Sequence, residues 1–355
     1  MNSSKSGPSF KGFAARPRKP MTVSQDDLVS TRFLDPENAY GWVVEPKVER
    51  FDIEAWVRQN RERLEQKLLK HGAVLLSGCG VDSVDRFQRL TELVTPDLLD
   101  YLERAAPRNE VGAKVFTSTE YPADQVIPMH HEMSYSHNWP VKLWFYCAQA
   151  AKEGGCTPLT NDRQVLEAID PDIREEFVAK KIMYVRNFGE GVDMPWQVAF
   201  QTEDRAEVEA YCAKARMTCE WREGDRLRTR AVRQVLATHP KTGDTVWFNH
   251  AHLFHISNMG EKVRAALLEE FALDELPRNA FFGDGTPIET EKLDHIREVY
   301  QRLSLRFPWK TGDVLLVDNF LSSHGRDPFV GPRKVLVTMA ELYTSDVDGA
   351  TTATA

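Results

Sequence analysis

The feature that most limits what this chain can fold into is a succession of short β-prone runs with no regular train of helices between them. AVLLS, KVFTST, KLWFYCA, CTPLT, IMYVRNF, RTRAV, QVLATH, DTVWFN, DVLLVDN and KVLVTMAEL are rich in β-branched and aromatic residues, and many are bounded by Gly, Pro, Asn or Asp. A doubly wound parallel sheet needs a helix after nearly every strand. The pattern therefore predicts a two-sheet antiparallel sandwich or barrel, mainly β with helical insertions. Thr242-Gly243 in HPKTGDTVWF reads as a hairpin turn. Asp52 is expected to cap a helix in which Ile53, Trp56, Val57, Leu64 and Leu68 recur at helical spacing, with Gly72 ending it. Further helices are expected over 82–94, 203–217, 261–271 and 290–305, the last with Leu293, Ile296, Val299, Tyr300 and Leu303 on one stripe.

A length of 355 residues with 42% hydrophobic and 28% charged side chains supports a substantial core in one elaborated domain. Residues 1–20 carry five basic and no acidic side chains among Gly, Pro and Ser, which predicts a flexible basic arm. A flexible tail is expected over 345–355. Between them a single domain at 21–344 is expected, with helical insertions at about 200–235 and 255–305. The 45 basic and 53 acidic side chains leave a net charge of -8, which gives no footprint for gripping nucleic acid. Cys79, Cys147, Cys156, Cys212 and Cys219 are never spaced C-x-x-C, so neither a disulfide framework nor a cysteine zinc site is indicated, and a reduced, cytoplasmic setting is expected. No apolar run reaches the roughly 18 residues of a membrane span, and the N-terminus lacks a secretory stretch.

The chemistry concentrates in IPMHHEMSYSHNWP. On an extended chain residues i and i+2 face the same way, so His130 and Glu132 would point into one cavity while His131 points away. A third ligand is offered by His324, downstream of the strand that ends in Asp318-Asn319. Two imidazoles and one carboxylate on one face of an octahedron, with positions left open, make the non-haem Fe(II) oxygenase arrangement. Taken alone, H-x-E also fits a solvated polar loop. Two further residues suit a keto diacid such as 2-oxoglutarate, whose distal carboxylate needs a fixed cation and a hydroxyl donor. Arg333, nine residues past His324, and Thr157, after the Gly154-Gly155 turn, can supply them.

The ordered blocks TSTEYPADQVIPMHHEMSYS, GGCTPLTNDR, WFNHAHLFH, GDGTPIE, DVLLVDN and HGRDPFVGPRKVLVTMAE resemble the taurine dioxygenase (TauD/TfdA) family of Fe(II)/2-oxoglutarate oxygenases, from about residue 30 to 343. The likeness is strongest to the branch of the syringomycin-pathway aspartyl hydroxylase, with clavaminate synthase more distant. The resemblance implies a double-stranded β-helix, the cupin-like jelly roll. It implies His130, Glu132 and His324 as catalytic iron ligands and Thr157 and Arg333 as the 2-oxoglutarate clamp. A second basic residue found in some members is Val337 here, so Arg326 becomes a candidate to assist the clamp. Glu132 fills the place that related halogenases leave small, which argues against halogenation.

The expected activity, with Fe(II), 2-oxoglutarate and O2, is hydroxylation of an unactivated C–H bond in an amino acid or an amino-acid-derived molecule within specialised metabolite or antibiotic biosynthesis. Desaturation or cyclisation needs the same cofactors. A zinc hydrolase would normally want a separate base and would have no use for Thr157 and Arg333 together, and a third class is a non-catalytic jelly-roll binding protein whose cup holds a ligand without redox chemistry. Arg108, Glu120 and His131 are candidate substrate contacts, being close to the first motif in sequence. His250, His252 and His255 are expected to be packing histidines. Arg222, Arg226, Arg228, Arg230 and Arg233 read either as a solvated strand face balanced by Glu223 and Asp225 or as a surface for an acidic partner, such as a substrate carboxylate or a peptidyl carrier protein that presents the substrate.

Overall fold

Two long antiparallel strands, Asn138–Gln149 and Lys334–Thr344, form the axis of the computed structural model, which describes residues 25–99, 110–112, 114–117, 121–189 and 194–345. The expected arm at 1–20, and the expected tail apart from Ser345, lie outside the described residues. The axis belongs to an eight-stranded sheet ordered Val29–Asp35, Tyr40–Pro46, Ala73–Leu76, Val314–Asp318, Asn138–Gln149, Lys334–Thr344, Val115–Thr117 and Glu110–Gly112. Only Tyr40–Pro46 and Ala73–Leu76 pair in parallel among the described strands; the antiparallel expectation holds elsewhere.

Both faces of this sheet are covered, which is why its strands read as continuous apolar runs. On one face Trp144, Tyr146, Leu316 and Leu336 pack with Trp56, Leu64, Leu68, Phe87 and Leu90 from helices Ile53–Gln59, Arg61–His71 and Val84–Val94. On the other, Leu143, Phe145, Val335, Val337 and Met339 face the interior that holds the candidate site. Trp144 is fully buried, and its truncation to Ala would cost about 3–5 kcal/mol.

Asp52 caps the first helix by accepting from the Ala55 N–H, and Gly72 closes the second in the left-handed conformation, φ 72°. A Cβ at Gly72 would press on Ser322 and Tyr40, so this glycine also lets the helix end meet the turn that leads to His324. The single helix expected over this stretch is in fact two. Asn60 leaves helical geometry, and its side-chain amide donates to the Trp56 carbonyl at 2.9 Å, competing with the helical ladder.

The second sheet, Met217–Arg222, Arg226–Arg233, Ile182–Phe188 and Arg278–Phe282, is antiparallel throughout. The segment at 200–235, expected as a helical insertion, thus contributes helix Arg205–Lys214 and two strands of this sheet. CTPLT forms no strand of its own; only Leu159 makes ladder-like bridges, to Leu305 and to His324. Helices Glu261–Glu270 and Thr290–Leu303 stand as expected, and the second buries Leu293, Ile296, Val299 and Tyr300.

Candidate active site

Strand Ile127–His130 pairs with His324–Arg326, and the register sets His130 directly opposite His324. Side chains directly opposite on an antiparallel pair stand about 4.5–5.5 Å apart at Cβ. Their rings follow suit, with centroids 4.5 Å apart. Between the two strands' backbones Gly325 leaves the necessary room, since a Cβ there would meet the Ile127 carbonyl at 2.7 Å. The strand ends at His130, so Glu132 reaches the same side through a turn, with Met133 at φ 59°, rather than by strand alternation. His130, Glu132 and His324 offer ligand atoms that all lie within 4.8 Å of one another.

Main-chain and side-chain partners fix each of these groups. The His130 Nδ1–H donates to the Pro128 carbonyl at 2.8 Å, which leaves Nε2 as the lone-pair nitrogen. Asn319 accepts from the Glu132 N–H at 2.8 Å and donates to the Glu132 and Pro140 carbonyls at 3.0 and 2.8 Å. The turn that delivers His324 is held by two fully buried carboxylates. Asp318 accepts from the N–H groups of Phe320 and Leu321 and meets His239 at 3.0 Å. Asp162 accepts from the Ser323 N–H, the Ser323 hydroxyl and the Thr160 hydroxyl. It also faces His131 Nε2 at 3.3 Å. A buried carboxylate is tolerable only when its lone pairs are used in this way.

His131 is fully buried, between Asp162 and the Phe248 ring. This corrects its reading as a substrate contact, because its neighbours are the scaffold behind the ligand cluster. Arg108 and Glu120 lie outside the described residues.

Beside the cluster is a cavity lined by His130, Phe145, Thr157, His324, Arg326 and Arg333, among others. Thr157 arrives there because residues 156–160 run along the His324 strand: Gly325, Asp327 and Thr160 exchange backbone bonds with Pro158, Cys156 and Ser323. Arg333 donates to the Gly155 carbonyl at 2.9 Å and lies 3.5 Å from the Thr157 hydroxyl. Gly155 has φ 69°, and a Cβ there would sit 2.9 Å from Arg333 Cδ, so the glycine is what lets the Arg333 side chain approach the loop this closely. Burial first, and the Arg326 charge second, push Arg333 down to about 10. An anion in the cavity would relieve both effects.

Arg326 lines the same cavity and is anchored through its two terminal nitrogens. It donates to the carbonyls of Tyr121, Pro122 and Gln125 at 2.9, 2.5 and 2.8 Å. It thereby straps residues 121–125 to the His324 strand, while its buried Nε makes no hydrogen bond among the described residues, which leaves the expected help to the clamp open to it. A signal for this was absent from the sequence, because the acceptors are backbone atoms. Asn319, Asp162 and Trp309, whose indole donates to the Thr157 hydroxyl at 2.9 Å, were also missed. Each stands in a quoted segment or next to one, yet none has a spacing that announces its role.

The other histidines fit packing. His250 meets the Ser134 hydroxyl, and burial holds it well below its ordinary range. His252 bonds the Met129 carbonyl at 2.8 Å, and burial lowers it to about 3. His255 accepts from the Ser257 N–H and is lowered to about 4, again mainly by burial. All five cysteines are free thiols. Among the described residues no helix is long and apolar enough to cross a membrane.

Residues 37–339 match the family model described as taurine catabolism dioxygenase TauD, TfdA family. The chain is 43% identical over 278 residues to the dapdiamide synthesis protein DdaC of Enterobacter agglomerans, covering 78% of this chain and 84% of that one. It is 32% identical over 296 residues to a clavaminate synthase-like protein of Arabidopsis thaliana, covering 80% and 86%. Among solved structures, PvcB of Pseudomonas aeruginosa, an Fe, alpha-ketoglutarate dependent oxygenase from an isonitrile synthetic pathway, aligns over 90% of this chain and 93% of its own, with TM-scores of 0.54 and 0.52 at 15% identity. A donor set of two imidazoles and a carboxylate beside a half-buried arginine suits ferrous iron and a keto diacid, and with the family match the conclusion is direct: the chain belongs to the TauD/TfdA family and is an Fe(II)/2-oxoglutarate-dependent dioxygenase that uses Fe(II), 2-oxoglutarate and O2.

Proposed function

We propose that this enzyme hydroxylates an unactivated C–H bond of an amino acid or amino-acid-derived small molecule in specialised metabolite biosynthesis. In this reading His130, Glu132 and His324 hold the iron, and Thr157 and Arg333 hold the distal carboxylate of 2-oxoglutarate. The core is a double-stranded β-helix, a jelly roll, within one domain; the enzyme works in the cytoplasm on a small-molecule, amino-acid-type substrate, either free or presented on a peptidyl carrier protein. The observation that carries the site assignment is the convergence of three ligand groups within 4.8 Å beside the cavity that Arg333 lines. The pathway assignment is supported by the likeness to DdaC, a dapdiamide synthesis protein.

When bound, iron and 2-oxoglutarate together supply the oxidising power that O2 lacks toward a C–H bond. The chain's own part is placement. The Pro128 carbonyl orients the His130 ring, Asn319 orients the Glu132 main chain, and the buried Asp162 and Asp318 hold the turn that carries His324. Phe145 and Val335 add apolar surface to the cavity wall beside the Arg333 guanidinium.

Anaerobic addition of Fe(II) and then 2-oxoglutarate tests the site. A weak visible charge-transfer band is expected for the native protein and is expected to vanish in Glu132→Ala and His324→Ala; a band that survives both replacements refutes the ligand assignment. Succinate release screened over free and carrier-bound amino acids tests the substrate. Turnover confined to molecules that are not amino-acid derivatives would overturn that part of the proposal.

A further inference from the structure

The hydroxyl of Thr157 is addressed from two sides. Trp309 Nε1 lies 2.9 Å from Thr157 Oγ1, and Arg333 Nη2 lies 3.5 Å from the same oxygen. An indole N–H only donates, and so does a guanidinium. A threonine hydroxyl has two lone pairs and one hydrogen, so two donors aimed at the oxygen leave the O–H to point away from both. Thr157 is 2% exposed, and among the described residues no protein acceptor takes its hydrogen. The direction left open is the cavity that Thr157 lines together with His130 and His324.

Trp309 is itself held in place. It lies in the segment between helix Thr290–Leu303 and strand Val314–Asp318, 9% exposed, with its ring 5.1 Å from that of Phe307. The turn after it is pinned by Asp313, which accepts from the Lys310 N–H at 2.9 Å. Nothing in the local sequence requires an indole rather than another aromatic ring to fill this space; the Nε1–H is the part that only Thr157 uses.

We infer that Trp309 is a positioning residue for the co-substrate. By occupying one lone pair of Thr157 it turns that hydroxyl into a dedicated donor toward an anionic group, and so sets the preference for a 2-oxo diacid over a 2-oxo monoacid. The inference rests on the proposed role of Thr157 and Arg333. It goes beyond that role by placing the control of the hydroxyl's direction in a residue that does not touch the ligand.

Equilibrium binding to the Mn(II)-loaded enzyme, measured by calorimetry, tests it without turnover. The probes are 2-oxoglutarate and 2-oxopentanoate, which lacks the distal carboxylate. Trp309→Phe keeps the ring and removes the N–H; it is expected to weaken 2-oxoglutarate about five- to tenfold, within the net worth of one ordinary hydrogen bond, while 2-oxopentanoate changes less than about twofold. Thr157→Val is expected to show the same selective loss, Thr157→Ser to retain the preference, and the Trp309→Phe, Thr157→Val double variant to lose no more than Thr157→Val alone. If Trp309→Phe does not fold, benzothienylalanine at position 309, which replaces the N–H by sulfur in the same shape, carries the same expectation. Equal losses for both keto acids, no loss for 2-oxoglutarate, or independent multiplication of the two effects would each overturn the inference. Failure of the underlying clamp looks different: Arg333→Gln with Trp309 intact would leave the preference for the diacid unchanged.

Discussion

Asn319 is the residue whose removal should most cleanly separate ligand identity from ligand orientation. It is fully buried and makes three hydrogen bonds to main chain, two of them to Glu132 itself. Asn319→Ala strands the Glu132 N–H and the carbonyls of Glu132 and Pro140 in a dry interior. At about 1–3 kcal/mol for each stranded group, partly offset by relaxation, the loss is about 3–5 kcal/mol, a large share of the 5–15 kcal/mol that ordinarily holds a domain together. Asn319→Asp is the sharper probe because it keeps shape and an acceptor for the Glu132 N–H. It removes both amide donors and sets a second negative charge behind the carboxylate ligand, at an expected cost of about 2–4 kcal/mol. Loss of an orienting partner behind a metal ligand typically weakens metal about 10–100-fold, and that is the expectation for Fe(II) here. Urea unfolding gives the stability, and anaerobic competition with a chelator gives the iron affinity. An Asn319→Asp enzyme that unfolds at the native urea concentration and holds iron as tightly would refute the reasoning, for it would mean that Glu132 needs no support from this amide.

Gly155→Ala places a Cβ at φ 69°, 2.9 Å from Arg333 Cδ; with the left-handed conformation alone costing about 1–2 kcal/mol, KM for 2-oxoglutarate should rise roughly tenfold with kcat little changed, and an unaltered KM in steady-state assays would count against the clamp geometry. Arg326→Ala removes three charge-assisted bonds to residues 121–125 and should lower stability by about 3 kcal/mol and loosen the pairing of the two histidine strands, read as faster amide exchange at Ile127 and Arg326; unchanged exchange would refute the strap. Acid should destabilise the protein early. His252 and His255 have folded values near 3 and 4, below the ordinary 6.5, so as pH falls through 6.5 the unfolded state takes up protons that the native state refuses. Each such group costs up to about 1.4 kcal/mol per pH unit until its own folded value is reached, and a melting temperature that is flat between pH 7.5 and 5 would contradict this.

What the sequence made legible, and what it hid, divides along a physical line. Strand runs such as IMYVRNF, observed as Ile182–Phe188, could be read because β-branched and aromatic side chains pack into a sheet wherever it lies. His130, Glu132 and His324 could be read because metal chemistry restricts residue types severely. CTPLT has strand composition but no free partner edge, since its backbone groups are taken by residues 323–327 and by Leu305. The break at Asn60 depends on one side-chain amide choosing a carbonyl over solvent. Arg326, Asn319 and Asp162 bond to main chain, and a main-chain partner leaves no residue-type signature at the other end of the contact.

The five arginines between 222 and 233 pose the same problem in reverse, because a conspicuous signature proves to have mostly internal uses. Arg228, its side chain 5% exposed, donates to Asn187 and to Asp274 at 2.8 Å each. Arg230 shares Asp274 and joins Arg222 on Glu220, and Arg233 donates to the Ala215 carbonyl from full burial. The balancing acids are thus Glu220 and Asp274, and Asp225 is taken by Arg205. Arg226 differs: it is exposed, and its guanidinium donates only to the Glu223 carbonyl among the described contacts. Charge reversal at Arg228 should therefore read out stability, by about 3 kcal/mol, the low end for breaking a buried pair because Asp274 is half exposed. Reversal at Arg226 should leave the melting temperature within about 1 °C of native, as surface substitutions do. Binding of an acidic partner is informative only at Arg226, where lost affinity cannot be a folding defect. Equal melting losses for Arg226→Glu and Arg228→Glu would show that the strand face is not divided in this way.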